Sequence, residues 1–295
     1  MVPKNKIDIW ILAIRPKTLP AAAAPVVVGA ALAFSSGYWL LLPAIAALIA
    51  ALLLQIGSNL ANDVFDYEKG ADSGERLGPL RVTQAGLLTP EDVKRGMLVV
   101  FGLAVIIGVY LIYHAGWVIL IIGLAAVFSA VAYTGGPYPL GYHGLGDLFV
   151  FIFFGLVATV GTFYIQTGTT TSTVWWMGAA IGLLILNVLV VNNLRDLDND
   201  RLTGKRTLAV RLGKKGARLE YWMAMVGAYF IPALLFFLGD LSVGGLSVFI
   251  SIPIALKLAR SIYLDSGKNL NRTLADTGKL GLIYALLFAV GVCWF

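Results

Sequence analysis

Apolar stretches of about 20 residues recur from Leu19 to Phe295, each parted from the next by turn residues or by a run of charges. A helix of about 20 apolar residues crosses the ~30 Å hydrocarbon core of a bilayer. The pattern predicts about nine spans, near 19–35, 39–60, 97–114, 117–134, 145–167, 175–194, 219–238, 243–262 and 278–295. Ser35-Ser36-Gly37, His114-Ala115-Gly116, Gly168-Thr169-Thr170 and Gly239-Asp240 are short connections without a lysine or arginine. Arg15-Pro16-Lys17 ahead of the first stretch has the look of a signal peptide's charged start. No small-residue cleavage pattern leads into a soluble domain, so this helix is expected to be retained. The fold class is an all-α polytopic membrane protein, one transmembrane domain over residues 1–295.

Composition agrees. Of the 295 residues, 59% are hydrophobic and only 13% charged, and mean hydropathy is +0.84. Soluble domains carry roughly 25% charged residues. The single Cys293 allows no internal disulfide and falls in the last apolar run, as a packing or lipid-facing residue.

Charge adds an orientation. All 22 basic residues lie in Lys4 to Lys17, Lys69 to Arg95, Arg195 to Arg218 and Lys257 to Lys279, the connections on one side of the predicted bundle. The positive-inside rule then puts the N-terminus in the cytoplasm and, with nine spans, the C-terminus outside, in the cell membrane. Residues 134–144 should share the inner face yet hold no lysine or arginine. The net charge of +6 can reflect topology and attraction to anionic lipid. Neither cause explains why nearly all 16 acidic residues lie on the same side.

The acids form two constellations. Asn62-Asp63-Val64-Phe65-Asp66 follows the second span, with Gly70 and Asp72 beyond it, and Asn192-Asn193-Leu194-Arg195-Asp196 runs on to Asp200 after the sixth. On continuing helices, Asn62 and Asp66 share one face, as do Asn192, Asp196 and Asp200. Gly70 is a natural helix stop that lets Asp72 fold back. Stacked carboxylates repel unless a cation lies between them. Magnesium takes oxygen ligands, typically one or two carboxylates plus substrate phosphates. Arg76 and Arg81 follow the first cluster, and Lys205, Arg206 and Arg211 the second; such bases match diphosphate oxygens. Solvated helix ends in salt bridges with Arg76, Arg195 or Arg201 are the bland alternative, less economical for two matching motifs than for one. Their matching positions also hint at an internal duplication.

Asn62-Asp63-x-x-Asp66-x5-Asp72 and Asp196-x3-Asp200, each at a helix end, resemble the UbiA superfamily of intramembrane prenyltransferases. Further stretches resemble the branch that prenylates 1,4-dihydroxy-2-naphthoate: Arg15-Pro16-Lys17-Thr18-Leu19-Pro20, Arg76-Leu77-Gly78-Pro79-Leu80-Arg81, Tyr142-His143-Gly144-Leu145-Gly146-Asp147, and Asn192 to Gly213. The likeness runs over nearly the whole chain. One departure is that many members space the first pair as Asp-x3-Asp, where this chain has Gly70 in the second slot and Asp72 next.

The resemblance implies nine helices around a central cavity under cytoplasmic cap segments, about 62–96, 134–144, 195–218 and 263–277. It implies a polyprenyl diphosphate donor, 1,4-dihydroxy-2-naphthoate as acceptor, loss of CO2, and demethylmenaquinol as product in menaquinone biosynthesis. Asp66, Asp72, Asp196 and Asp200 would be catalytic and, with Asn62 and Asn192, would hold Mg2+. Arg76, Arg81, Lys205 and Arg206 would clamp the diphosphate, with Asn59 and Asp63 beside them. Tyr142 would line the acceptor pocket, while belt tyrosines at the interface are an alternative. Arg15 and Lys17 could reach the acceptor carboxylate or merely set topology. Asp147 is a site acid or a first-turn helix acid. Rival readings are another aromatic acceptor such as 4-hydroxybenzoate, or a secondary transporter. Neither His114 nor His143 has a partner at metal spacing, and nothing points to nucleic acid.

Overall fold

The structure is a computed structural model that describes residues 5–70 and 77–295. Asp72 and Arg76 fall outside the described residues. Among those described there is no strand. A surface helix α1 (Lys6–Ile14) starts from Asn5, whose side chain accepts the Asp8 N–H. Arg15, the one non-glycine with positive φ among the described residues (φ 55°), then turns the chain into α2 (Leu19–Ser35). There follow α3 (Leu41–Glu68), α4 (Pro90–Ala115), α5 (Trp117–Ala132), α6 (Gly146–Thr167), α7 (Ser172–Leu202), α8 (Leu208–Leu238), α9 (Val243–Leu264) and α10 (Leu270–Trp294). Among the described residues, eight helical stretches, the first of them α1 and α2 taken together, are long and apolar enough to cross a membrane; α5 is apolar but shorter. The protein is a multi-pass membrane protein.

Helices α2–α10 correspond to the nine predicted spans, but five reach well past the predicted ends, all on the charge-bearing side. α3 continues from 60 to Glu68 and α7 from 194 to Leu202, while α4 and α10 begin at Pro90 and Leu270, and α8 begins at Leu208 with a short first segment set off by a kink at Gly213 (φ 69°). A hydropathy reading stops at the first charges. The helix does not, because its backbone groups are satisfied internally in water as in lipid. Thr89 and Thr207 cap two of these starts by accepting the Asp92 and Val210 N–H groups. Much of the expected cap segments 62–96, 195–218 and 263–277 is therefore helix that projects from the bundle. Residues 134–144 stay irregular apart from the short 3₁₀ turn Leu140–His143.

The main core joins α2, α6, α7, α8, α9 and α10 around Met177, Tyr221, Tyr284 and Phe288. A second joins α1, α3 and α4 around Leu60, Val64, Val93 and Phe101. Large exposed apolar side chains such as Ile106, Phe128, Phe230 and Ile250 cover the outside, as lipid contact requires.

Candidate active site

A cavity of about 600 Å³ lies between these two cores, and its charged residues gather where α3 and α7 project. Arg15, Asn59, Asn62, Asp66, Arg81, Tyr142, Asn192, Asp196, Asp200 and Lys205 all line it. Sequence positions more than a hundred residues apart thus meet at one mouth. Below it the lining is apolar, through Ala47, Ala51, Val109, Leu120 and Ile165.

On α3, Asp66 is only 2% exposed and receives three donors. Arg81 Nη2 and the Tyr142 hydroxyl both hydrogen-bond to it, and Lys205 Nζ stands 3.4 Å away. Arg81 also donates to the Asn62 carbonyl at 2.7 Å, and Asn62 Oδ1 accepts the Thr134 hydroxyl at 2.9 Å. Asp66 therefore ties α3 to the 81–83 turn, the 134–144 loop and the segment after α7. A buried carboxylate needs such compensation.

On α7, Arg195 Nε and Nη2 grip Asp196 at 2.8 and 2.5 Å. The same guanidinium donates to Asn192 Oδ1 and to Asn271 Oδ1 of α10, both at 2.8 Å. Asn271 passes the link on to the Leu77 carbonyl at 2.7 Å. Asp200 is buried, with Lys205 Nζ 4.0 Å away. Lys205 thus stands between Asp66 and Asp200, 4.4 Å over the Tyr142 ring.

Four sequence candidates are placed away from the cavity lining. Asp63 points to the other side of α3, 1% exposed, where it accepts the backbone N–H groups of Val82 and Thr83 at 3.2 and 3.0 Å. Arg15 Nη2 is 3.8 Å from it. Arg206 is exposed; its backbone N–H donates to the Tyr142 carbonyl at 2.8 Å. Lys17 is exposed on the short turn before α2. Asp147 is buried beside Glu220 of α8, a neighbour that sequence spacing could not reveal.

The loop without bases is fastened by bases from elsewhere. Lys69 Nζ donates to the Thr134 and Gly136 carbonyls at 2.7 and 2.9 Å, and Arg211 Nη2 to the His143 carbonyl at 2.7 Å. Tyr133 at the start of the loop also lines the cavity. The Arg195–Asp196 pair is the salt bridge that the bland alternative named for this helix end; what sequence reasoning missed is Thr18, whose Oγ1 accepts from Gln55 and Asn59 at 3.1 and 3.0 Å.

The oxygen donors suit a hard cation in their chemistry, since magnesium usually takes one or two carboxylates and completes its shell with phosphate and water. Among the described residues no three acidic, histidine or cysteine side chains converge into a preformed metal cage. Arginine and lysine instead neutralise the carboxylates, at positions where they can also meet a diphosphate.

This chain is similar to several known proteins. A 1,4-dihydroxy-2-naphthoate octaprenyltransferase from Escherichia coli K12 is 38% identical over 98% of this chain and 96% of its own. One from Mycobacterium tuberculosis is also 38% identical, over 95% of each chain. A UbiA homolog from Archaeoglobus fulgidus, solved bound to GPP and Mg2+, shares the fold with a TM-score of 0.67 at 13% identity, covering 97% of this chain and 100% of that one. The model of the UbiA prenyltransferase family matches residues 22–283, which takes in both acidic helix ends and the cavity between them. This chain belongs to the UbiA prenyltransferase family.

Proposed function

We propose that the protein transfers a polyprenyl group from polyprenyl diphosphate to 1,4-dihydroxy-2-naphthoate with loss of CO2, giving demethylmenaquinol for menaquinone biosynthesis. The observation that carries this reading is a cavity with a charged mouth and an apolar interior. It matches a donor with a diphosphate head and a hydrocarbon tail. The near full-length relatives named for the same reaction support the acceptor.

The diphosphate binds at the mouth. Asp66, Asp72, Asp196 and Asp200, with Asn62 and Asn192, would hold magnesium there. When bound, magnesium supplies Lewis-acid stabilisation of the leaving diphosphate. Arg81 and Lys205, already at the mouth, add fixed positive charge where the leaving group gains negative charge; Arg76 joins them in this reading. The apolar walls below keep water from the allylic carbon as its C–O bond breaks. Arg15, which also lines the cavity, carries the guanidinium suited to the acceptor carboxylate.

The net reaction needs no base. Prenyl diphosphate and the naphthoate carboxylate become prenylated ring, CO2 and diphosphate; the electron pair of the lost carboxyl bond stays on the ring and balances the prenyl cation.

The reading places the protein in the cell membrane with the charged face and N-terminus cytoplasmic and the C-terminus outside. Purified protein in lipid vesicles, given labelled polyprenyl diphosphate and either acceptor, tests it. Product is expected with dihydroxynaphthoate, lost on chelation and restored by magnesium. Product with 4-hydroxybenzoate alone would overturn the acceptor, and turnover unchanged by chelation would overturn the metal.

A further inference from the structure

The cavity is not uniform around its circumference. Among the described residues that line it, the aromatic ones are Tyr133, Tyr142, Phe149, Phe153 and Phe154, all within residues 133–154. Helices α2, α3 and α4 present mainly alanine, valine, leucine and isoleucine to the cavity's apolar part. One wall is aromatic and the rest is aliphatic.

The aromatic wall has a specific backbone cause. Residues Phe151–Val157 of α6 form a π-helical stretch. The wider π turn shifts the side-chain register and is a feature often found at functional sites. This stretch is pressed against α7 by glycines: a Cβ on Gly155 would stand 2.6 Å from the Gly182 Cα and 2.8 Å from the Gly178 carbonyl. The Phe151 ring abuts Gly182 on the same side. With Phe151 and Gly155 committed to α7, Phe149, Phe153 and Val157 turn into the cavity. The Phe149 and Phe153 rings lie nearly parallel, 18° apart with centroids at 5.9 Å.

The wall also starts at the charged mouth. Thr134 is bonded to Asn62, and Tyr133 packs where a Cβ on Gly146 would meet its hydroxyl at 2.7 Å. Phe149 and Phe153 continue from there down α6. A flat ring placed on them would lie just inside the diphosphate layer, where the allylic carbon must be attacked.

We propose that the fused aromatic ring of the acceptor docks on Phe149 and Phe153, while the prenyl chain runs along the aliphatic walls of α2–α5. A bicyclic aromatic gains offset stacking on parallel rings beyond its area burial. A polyprenyl chain, with isolated double bonds and a flexible backbone, has no such preference. Phe149 and Phe153 are thus binding residues that set acceptor specificity. The proposal rests on the naphthoate reading above.

The test compares Phe149→Leu, Phe153→Leu and Phe153→Tyr with wild type in the vesicle assay, varying each substrate in turn. Phe151→Leu, which removes a ring from the α7-facing side of the same stretch, is the packing control. The leucine variants should raise the acceptor KM about three- to tenfold each, Phe153→Tyr, which keeps the ring face, should raise it less than Phe153→Leu, and the donor KM and Phe151→Leu should stay within about twofold of wild type. Equilibrium dialysis of 1,4-dihydroxy-2-naphthoate without donor should show the same loss of affinity. If the acceptor KM and dialysis are unchanged and kcat alone falls, the rings serve the allylic cation and the proposal is overturned. An equal rise in the acceptor KM for Phe151→Leu would also overturn it. Wild type that fails to prenylate dihydroxynaphthoate at all ends the naphthoate reading, and the docking with it.

Discussion

The two acidic helix ends look alike in sequence and behave differently in the fold. Asn62 and Asp66 on α3, and Asn192 and Asp196 on α7, have the same spacing and the same place at a helix end. Yet Asp66 draws its partners from three distant segments, through Arg81, Tyr142 and Lys205. Asp196 is gripped by Arg195, its own neighbour on the helix. The α3 end organises the mouth, whereas the α7 end arrives already neutralised. Equivalent motifs need not carry equivalent loads.

The largest expected effect breaks that comparison directly. Asp66→Asn should lower kcat by about 10³-fold and Asp196→Asn by about 10²-fold, the span seen when one preorganised electrostatic group is removed. The asymmetry has a second readout. Asp66→Asn leaves Arg81 and Lys205 without their shared counter-charge, Arg81 being buried, and breaking such a pair destabilises by roughly 3–5 kcal/mol. Asp196→Asn also removes the counter-charge of a buried guanidinium, but Arg195 keeps its bonds to Asn192 and Asn271, and Asp196 is partly exposed where Asp66 is buried. Thermal unfolding in detergent should therefore show a clear drop for Asp66→Asn and a small one for Asp196→Asn. Equal drops would mean that the two ends are equivalent after all.

A subtler difference lies one residue after each asparagine. Asp63 follows Asn62, and Asn193 follows Asn192. Asp63 is turned away from the cavity and holds the Val82 and Thr83 N–H groups, which sets the position of Arg81. Asp63→Asn makes the first motif read like the second. Charge-assisted hydrogen bonds contribute about 1.5–3 kcal/mol, so this change should lower the unfolding midpoint and weaken donor binding about tenfold through a misplaced Arg81. Donor affinity measured with a non-hydrolysable prenyl diphosphate analogue checks it. Unchanged affinity would show that the turn holds Arg81 without Asp63.

The nine spans and the faces of both acidic motifs were legible because period and hydropathy are local properties of a helix. Asn62 and Asp66 do share the cavity face, as spacing by four predicts. What stayed hidden is non-local or breaks the helical period. The projecting helix ends looked like loops because charge, not backbone, ends a hydropathy window. Arg195 was a named salt-bridge partner, but its further bond to Asn271, which ties α7 to α10, could not be read from one helix. Asp147 beside Glu220, and α6 turned by a π stretch against Gly178 and Gly182, depend on which helices become neighbours. The base-free loop is the clearest instance: residues 134–144 read as a gap in the charged face, and the fold fills the gap with Lys69 and Arg211 from outside it.

That loop yields the smallest expected effect, and it bears on why the α3 end organises the mouth. Lys69 directly follows α3, so the helix that carries Asp66 also holds the loop that carries Tyr142. Two routes then connect α3 to the loop: the Tyr142 hydroxyl on Asp66, and the Lys69 ammonium on the Thr134 and Gly136 carbonyls. Lys69 is exposed, and water can replace its bonds to the carbonyls at little cost. Lys69→Met should therefore change kcat by no more than about threefold, which corresponds to the loss of one ordinary hydrogen bond. Tyr142→Phe removes the buried route and should cost about tenfold, since the Asp66 carboxylate loses a charge-assisted partner. The double variant distinguishes two clasps from one. If both hold the same loop in the same place, its loss should exceed the product of the single losses. A strictly multiplicative result would mean that Tyr142 tunes Asp66 without positioning the loop, and the α3 end would then organise charge alone.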